Sequence, residues 1–333
     1  MRFSFKIRSA YTFFFLALFP ATFSVQAQHK QKPVPVILDT DIGPDYDDVG
    51  AMAVLHALSD RGEARPLAVI SCNKNELTVP TIDILNTYFG RLGLPSGVPK
   101  GKAADIGAPQ KWPEMLVGKY PHKINKSSEA PDAVETYRKI LTSQPDKSVT
   151  IVTIGFLTNL ADLLNSGPDK ISPLSGKLLV KQKVKQLVSM AGAFPSGREY
   201  NVHIDSLSSE KVFTQWPSPI IFSGVEIGKQ IKTGLRVIAN KKLKSPVKDV
   251  FAMTIPMSKE DAEGRMSWDQ TAVLVAIRGT KPYFSQKRGR IIMKGGNNAW
   301  QDDPEGPHTY LTELMPFPKV AELIESFMQT PGK

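Results

Sequence analysis

The sequence predicts an α/β fold, in which a mostly parallel sheet is covered by helices on both faces within a single domain. Short apolar runs without polar alternation, typical of buried parallel strands, alternate along the chain with helical patterns. Polar, glycine-containing loops follow these runs, and no internal repeat or low-complexity linker divides the chain. Roughly 300 residues are enough to bury one large hydrophobic core.

The first predicted strand leads into the stretch around which the chain is organised. Residues 34–57 read VPVILDTDIGPDYDDVGAMAVLHA, an apolar run followed by an acidic turn and an alanine-rich helix. The turn holds five aspartates: Asp39, Asp41, Asp45, Asp47 and Asp48. Carboxylates this close repel one another unless a cation lies among them. Oxygen ligands suit calcium or magnesium. The alternative is a solvated turn that caps the helix, although a cap needs only one Asp.

The remaining elements follow from periodicity and turn residues. Further strands are predicted at residues 66–71, 149–154, 184–190 and 219–223. Helices are predicted at residues 79–92, 131–141, 160–164, 206–213, from 267 onward, and 321–328. The Gly-, Pro- and Lys-rich stretch 97–126 is predicted to form surface connections, and residues 226–266 and 281–310 give no firm pattern.

The N-terminus has the pattern of a secretory signal peptide. Basic residues precede the apolar run from Tyr11 to Phe23, and small residues end at Ala27. We expect residues 1–27 to be a signal peptide, and residues 28–333 to be an exported domain, periplasmic or secreted, without membrane contact after cleavage. An uncleaved anchor is the alternative, but a bilayer span needs about 20 apolar residues and Pro20 interrupts this run.

Charge and cysteine content exclude few partners. Removing Arg2, Lys6 and Arg8 from the formal charge of +10 leaves +7 for the mature chain. A lysine cluster at 177, 181, 183 and 185 could meet an anionic surface, but no nucleic-acid module accompanies it, so a solvated basic face is favoured. Cys72 is the only cysteine, which excludes an intramolecular disulfide, and we expect it to pack as a small apolar residue.

Polar groups follow each strong strand and should converge at one sheet edge, because the carboxyl ends of parallel strands lie together. These groups are the acidic turn, Asn73, the turn at 154–159 and the loop at 199–201, with Asp269 at a helix start. Carboxylates, carbonyls and amides without a Cys or His cluster make an oxygen cage beside a hydroxyl-binding site. That combination suits a metal-bound water and a sugar.

Four motifs resemble the nucleoside hydrolase family of the inosine-uridine preferring type. They are DTDIGPDYDD, TIGFLTNLA, REYNVHID and SWDQTAVL, in family order between Val34 and Leu274. The resemblance implies a Rossmann-like fold and calcium-dependent hydrolysis of the N-glycosidic bond of ribonucleosides, with metal-bound water as the nucleophile. It also implies a role in purine or pyrimidine salvage, a small nucleoside substrate rather than nucleic acid, and a homodimer or homotetramer.

The resemblance assigns roles to individual positions. Asp41 matches the aspartate that ligates calcium and takes a proton from water. The implied metal ligands are Asp41, Asp48, Asp269 and the backbone carbonyl of Ile154, where the family usually has Thr. The implied ribose-binding residues are Asp47, Asn73, Glu199 and Asn201. Structural roles in turns and caps are the alternative for the amides and Glu199.

Two departures from the family pattern lie at the ends of the substrate. Trp268 occupies the position where many members have the His that protonates the leaving base, so it either stacks on the base or simply fills a wall. His203 and His308 are the other histidines considered for that role, although a lone His is more often structural. The loop before Glu199 is shortened, and Arg198 is a possible substitute for a missing Asn.

Three hypotheses therefore compete. The first is an exported calcium-dependent ribonucleoside hydrolase. The second is a non-catalytic or altered-specificity relative that binds a riboside or another sugar. The third is a haloacid-dehalogenase-type phosphohydrolase, in which Asp39 would be the nucleophile and magnesium the metal. Asp45 has no assigned role in any of them.

Overall fold

Residues 32–333 form an α/β unit in which helices cover both faces of one large sheet. A computed structural model of the protein describes residues 1–4, 6 and 32–333. The predicted signal peptide therefore lies almost wholly outside the described residues. Residues Lys32–Lys333 form one compact unit. The predicted division into a signal peptide, residues 1–27, and a domain, residues 28–333, stays a prediction.

Eleven strands are present in the described residues. Their bounds are β1 Val34–Thr40, β2 Ala64–Ser71, β3 Val149–Thr153, β4 Val184–Met190, β5 Ser196–Gly197, β6 Ile220–Ser223, β7 Lys232–Thr233, β8 Arg265–Met266, β9 Phe284–Lys294, β10 Asn297–Asp302 and β11 His308–Glu313.

The same residues contain thirteen α-helices and three short 3-10 helices. The α-helices are α1 Asp47–Asp60, α2 Thr78–Tyr88, α3 Trp112–Lys119, α4 Ala133–Thr142, α5 Thr158–Asn165, α6 Gly176–Lys183, α7 Tyr200–Ile204, α8 Ser206–Gln215, α9 Val225–Gln230, α10 Leu235–Ala239, α11 Pro246–Thr254, α12 Trp268–Arg278 and α13 Phe317–Met328. The 3-10 helices are Ser127–Glu129, Ile255–Met257 and Lys259–Asp261. Among the described residues, no helix has the length and apolar character needed to cross a bilayer.

The main sheet has nine strands in the order β2-β1-β3-β4-β6-β11-β9-β10-β5. The first six are mutually parallel, and β9, β10 and β5 add an antiparallel edge. The prediction of a mostly parallel sheet in an α/β fold is therefore confirmed. The remaining strands, β7 and β8, form a separate antiparallel pair.

Strand β1 lies inside the sheet and buries both of its faces. Its side chains alternate between two cores: Val36 and Leu38 pack on one face, and Ile37 packs on the other. Helix α1 follows β1 and is buried along nearly its whole length, which its alanine-rich sequence permits. The acidic turn between β1 and α1 is thus fixed at both ends.

Several predicted boundaries differ from the structure. Trp112 is buried and begins helix α3, so the prediction of surface connections is wrong for that part of 97–126.

Helix α2 ends at Tyr88 rather than residue 92, and Gly90 follows it with φ +70°. Helix α4 begins at Ala133 rather than Pro131, because the Asp132 carboxylate caps it by accepting from the Glu135 N–H.

The stretch 281–310, which gave no firm pattern, forms β9, β10 and the start of β11. Along β9, exposed and buried positions do not alternate cleanly, which explains why a period of two was not visible in the sequence. Cys72 is buried, as predicted.

Candidate active site

A cavity of about 200 Å³ opens at the carboxyl edge of the parallel strands. The loops after β1, β3, β4 and β6 reach it, together with the N-termini of α7 and α12. Its lining residues are Asp41, Asp45, Asp47, Asp48, Ile154, Met190, Glu199, Tyr200, Asn201, Val225, Trp268 and Asp269. This is the edge where parallel α/β sheets bind ligands.

The β1–α1 turn supplies four of the lining carboxylates. Asp47 and Asp48 form the first turn of α1, where the helix dipole favours negative charge. The Thr40 hydroxyl donates to Asp48 Oδ1 and so fixes that side chain. Asp41 packs against the turn after β3: a Cβ on Gly155 would lie 2.6 Å from both the backbone nitrogen and Oδ1 of Asp41. Only glycine at 155 allows these loops to approach so closely.

Three of the aspartates form a compact carboxylate group. Each of Asp47, Asp48 and Asp269 offers a carboxylate oxygen, and the three oxygens all lie within 4.8 Å of one another. All three side chains are buried. Burial first, and then the neighbouring carboxylates, raises the pKa of Asp48 and of Asp269 well above the usual range. Burial raises the pKa of Asp47 to about 6, although Arg265 opposes the shift.

This group fits a hard divalent cation, because it holds negative charge in a buried place and offers only oxygen ligands. Asp48 and Asp269 belong to it, as the predicted metal set requires. Asp41 and Ile154, the other two predicted metal ligands, line the same cavity, and Asp47, a predicted sugar ligand, belongs to the compact group. Burial and the charge of Asp48 raise the pKa of Asp41, so Asp41 interacts electrostatically with the compact carboxylate group.

Glu199 and Asn201, two of the predicted ribose ligands, reach the cavity. The Glu199 carboxylate caps α7: Oε1 accepts from the Asn201 N–H at 2.8 Å, and Oε2 accepts from the Val202 N–H at 3.0 Å. This cap holds Asn201 at the cavity wall, where its Nδ2 donates to the Ile154 carbonyl at 3.4 Å. Within the motif REYNVHID, Glu199 therefore fixes the position of Asn201.

Asn73 is not among the residues that line the cavity, and its predicted role in ribose binding stays a prediction. Its Nδ2 donates to the carbonyls of Asp41 and Ile106, at 3.0 and 2.7 Å. Its Oδ1 accepts from the N–H groups of Asn75 and Ile106, at 3.1 and 3.0 Å. The side chain is fully buried, and both ends of its amide are hydrogen-bonded, so Asn73 connects the acidic turn to the loop at 106.

Trp268 also lines the cavity, at the first position of α12. Its Nε1–H donates to the Val225 carbonyl at 2.8 Å. Helix α9 approaches α12 closely, since a Cβ on Gly228 would lie 2.3 Å from Trp268 Cα. The indole is therefore fixed, and its only N–H donor already has an acceptor.

The other residues considered for the substrate ends do not line this cavity. Arg198 contacts His203 Nε2, and His203 lies beside Gly296. His308 is on β11, where burial lowers its pKa to about 4 and its Nδ1 accepts from the Ile291 N–H. No histidine is among the lining residues in the part of the chain that the structure describes.

Asp39 is fully buried beneath the turn and does not line the cavity. Its Oδ2 accepts from the Tyr137 hydroxyl at 2.8 Å and from Asn159 Nδ2 at 3.0 Å. Burial raises the pKa of Asp39 to about 7. Because Asp39 does not line the cavity, this geometry does not support the third hypothesis, in which Asp39 is the nucleophile.

Arg265 is the residue that sequence reasoning missed. It lies in the stretch 226–266, which gave no firm pattern, and it pairs with the acidic turn more than 200 positions away. Asp45, which had no assigned role, forms an ion pair with it at 2.5 Å. The only signal available in the sequence was an arginine two residues before the fourth motif.

Comparison with known families gives a match along most of the chain. The family model described as "Inosine-uridine preferring nucleoside hydrolase" matches residues 36–308. The chain is 29% identical over 213 residues to the pyrimidine-specific ribonucleoside hydrolase RihA of Salmonella typhimurium, covering 58% of this chain and 61% of that protein. It is 31% identical over 134 residues to an uncharacterized protein of Schizosaccharomyces pombe, covering 38% of this chain and 40% of that protein. These matches span less than two thirds of either relative.

Solved structures share the fold. A purine-preferring ribonucleoside hydrolase from Gardnerella vaginalis has a TM-score of 0.71 at 17% identity, covering 89% of this chain and 98% of that one. An inosine-uridine preferring nucleoside hydrolase from Bacillus anthracis has a TM-score of 0.68 at 15% identity, covering 89% and 99%. At such identities the likeness concerns the fold alone.

Proposed function

The chain belongs to the inosine-uridine preferring nucleoside hydrolase family, and from this premise we propose that it hydrolyses the N-glycosidic bond of ribonucleosides in a calcium-dependent reaction. The products are a free base and ribose. The activity is a proposal for this chain, since its curated relatives are matched over only part of their length.

One observation carries the proposal: buried carboxylates, a capped amide and a fixed indole meet around one cavity. Asp41, Asp48, Asp269, Asn201 and Trp268 all line this cavity. A hydrolase acting on a riboside needs these three parts, because it must activate water, hold hydroxyls and contact a leaving base.

Calcium is the cation that we propose for the acidic end. Asp48 and Asp269 would hold it, joined by Asp41 and by the Ile154 carbonyl, and Asp47 is close enough to contribute. Calcium accepts six to eight oxygen ligands in flexible geometry, which suits mixed carboxylate and carbonyl donors. When bound, the ion would orient the attacking water and lower the pKa of that water.

Asp41 is proposed as the general base. It takes a proton from water while the water oxygen forms a bond to C1′ of the ribose. The bond between C1′ and the base nitrogen breaks, and its electron pair goes to the base through an oxocarbenium-like transition state. Asp47 and Asn201, with Glu199 holding the α7 N-terminus, are proposed to bind the ribose hydroxyls.

Trp268 is proposed to contact the leaving base by stacking. Its Nε1–H is bound to the Val225 carbonyl, so the indole has no proton to donate to the base. Stacking can still lower the barrier if it is stronger in the transition state than in the ground state. No lining residue is a histidine in the described chain, so we do not assign protonation of the base to a histidine.

A ribose-release assay with purified protein tests the proposal. Purine and pyrimidine ribonucleosides are both included, because one of the similar proteins described above is named as pyrimidine-specific and another as purine-preferring. We expect ribose release that a chelator abolishes and that calcium restores. Absence of ribose from every nucleoside at saturating calcium would contradict the proposal.

Among the described residues no histidine lines the cavity, which favours a second candidate, a relative that binds a riboside or another sugar without turnover. Calorimetry decides between the two. Binding of a nucleoside without ribose release would favour this candidate. Ribose release that is lost in Asp41→Asn would exclude it.

Export and self-association complete the proposal. Residues 1–27 are proposed to be removed as a signal peptide, giving a periplasmic or secreted protein, which N-terminal sequencing of the exported chain tests. A homodimer or homotetramer is proposed from the family resemblance, which light scattering on the purified protein tests.

A further inference from the structure

Arg265 has an unusual environment for an arginine. Only 7% of the residue is exposed, and its guanidinium faces three carboxylates. It lies 2.5 Å from Asp45, 3.2 Å from Asp47 and 3.7 Å from Asp261. Burying an arginine is costly unless its charge is paired, so this guanidinium is held by specific contacts.

Two aromatic rings enclose the same guanidinium. Its central carbon lies 4.7 Å from the ring centre of Tyr46 and 5.0 Å from that of Trp268. A cation this close to an indole face is attracted to it, most strongly where water is excluded. Arg265 does not itself line the cavity, whereas Trp268 does.

The backbone around Arg265 is also fixed. Arg265 belongs to β8, which pairs with β7, and Gly264 supplies the φ of +106° that precedes it. Asp261 accepts from the buried Tyr46 hydroxyl at 2.7 Å, which connects the segment to the acidic turn. The guanidinium therefore joins two places that are far apart in sequence: the acidic turn and the start of α12.

We propose that Arg265 is a positioning residue for the leaving-base end, holding the Trp268 indole in the plane needed to stack on the base and anchoring that indole to Asp47. The inference rests on the proposed ribonucleoside hydrolysis. Stacking requires a fixed ring, and Trp268 is held at its edge by the Val225 carbonyl and at its face by Arg265. Asp47 orients Arg265 in turn, so the sugar end and the base end share one support.

The test compares two leaving groups. Ribonucleosides need help with departure of the base, whereas p-nitrophenyl β-D-riboside releases a stable anion unaided. Arg265→Met keeps an unbranched aliphatic stem and removes the charge and the planar guanidinium. We expect kcat for inosine and uridine to fall about 100-fold, with KM changed little, because a misplaced group costs on this order. The p-nitrophenyl riboside should lose less than about 5-fold.

A double-mutant cycle then isolates the contact. In a Trp268→Leu background, Arg265→Met should cause little further loss on nucleosides, because the group that it positions is gone. Arg290→Met is the matched control, since Arg290 pairs with Asp303 far from the cavity, and it should change neither substrate. Equal losses on both substrates, or additive losses in the cycle, would overturn the proposal.

Fluorescence gives a readout that does not need activity. The chain has four tryptophans, so the difference between spectra with and without Trp268→Leu isolates the emission of Trp268. Arg265→Met should shift that emission to longer wavelength, and an unchanged spectrum would overturn the proposal. If the wild-type protein releases no ribose, the proposed function fails while this arm still decides the role of Arg265.

Folding of the variants is checked by circular dichroism. Should Arg265→Met not fold, Arg265→Lys replaces it: lysine keeps the charge but lacks the planar, multidentate guanidinium. We expect the same selective loss on nucleosides, in smaller measure. Full activity of Arg265→Lys on nucleosides would overturn the proposal, because a charge alone would then suffice.

Discussion

At the scale of single residues, the candidate site buries several carboxylates, although burial is unfavourable for charged groups. Four aspartates of the cavity, at 41, 47, 48 and 269, are almost completely buried, and the Arg265 guanidinium contacts Asp47. Burial and mutual repulsion raise the pKa values of all four. Such groups destabilise a fold unless something binds among them, so their presence together points to chemistry rather than to stability.

Asp41→Asn tests the proposed base. The amide keeps the shape of the side chain but cannot take a proton, so kcat for ribose release should fall about 1,000-fold. Initial rates at saturating calcium measure it. Asp302→Asn is the control, because Asp302 is an exposed carboxylate on β10 and its loss should leave the rate unchanged. A rate within a few-fold of wild type in Asp41→Asn would remove Asp41 from the mechanism.

Asp39 gives a pH prediction with a definite sign. Its pKa is about 7 in the folded protein against 3.8 in the unfolded chain, so the folded state keeps a proton that the unfolded state loses. The contribution of this proton to the free energy of unfolding is fully present below pH 3.8 and is lost as the pH rises toward 7. The loss approaches about 1.4 kcal/mol per pH unit within that window.

Asp39→Asn should flatten this dependence, since asparagine does not titrate and its Oδ1 can still accept from Tyr137 and Asn159. Urea unfolding between pH 4.5 and 7, with a chelator present, measures the slope of the free energy of unfolding. Parallel slopes for wild type and variant would show that Asp39 is already ionised in the fold. Asp302→Asn should run parallel to wild type.

Residue-level prediction from the sequence worked where a motif is local and failed where contacts are distant. The acidic turn, the 199–201 loop and Trp268 all reach one cavity, because each follows a strand end or begins a helix. Arg265 could not be found this way, since its partners lie more than 200 positions away. The role predicted for Asn73 stays a prediction, and the sequence did not show that its amide is hydrogen-bonded to neighbouring backbone groups.

At the scale of elements, the antiparallel edge of the sheet supports the candidate sugar-binding loop. Strand β10 pairs with β5, which lies just before Glu199. The Asn298 side chain binds both backbone groups of Ala193: it accepts from the N–H at 2.8 Å and donates to the carbonyl at 2.7 Å. Patterns in the sequence predicted the parallel strands but not β9 and β10, because their partly exposed side chains follow no clean period.

Asn298→Ala tests this support. Two hydrogen bonds to a loop backbone are lost, so the free energy of unfolding should fall by about 2 kcal/mol. We also expect a higher KM for nucleosides, because the 193–199 loop loses its anchor. Chemical denaturation and steady-state kinetics measure both effects. Asn297→Ala is a matched control at an adjacent, exposed position, and it should change neither quantity. A normal KM in Asn298→Ala would show that the loop is held by β5 alone.

At the scale of the whole molecule, the fold brings charge from both ends of the sequence to one sheet edge. The turn after β1 and the start of α12 meet because α1 and α12 pack side by side over the same face. A Cβ on Gly50 would lie 2.4 Å from Gln270 Nε2, which shows how close the two helices are. The sequence predicted the α/β class because alternation of strands and helices is local, whereas this pairing of helices is not.

Calcium should therefore stabilise the entire unit and not only its site. A ligand that binds the folded state alone adds about 2.7 kcal/mol at a concentration 100 times its Kd. For a chain of this size that corresponds to a rise in Tm of roughly 5 °C, measured by calorimetry with calcium and with a chelator. Magnesium should give a smaller rise, since it demands stricter geometry and sheds water reluctantly.

Asp269→Asn separates stabilisation by the ion from stability of the fold itself. Its side chain lies among like charges that raise its pKa, so replacing it with a neutral amide removes repulsion in the metal-free protein. We expect the variant to have a Tm equal to or above that of metal-free wild type, and its Tm should rise little on addition of calcium.

A full calcium-dependent rise in the Tm of Asp269→Asn would mean that the ion binds elsewhere. A lower metal-free Tm would mean that the carboxylate is structural. Asp302→Asn should keep the wild-type response, because its carboxylate is exposed and remote from the compact group.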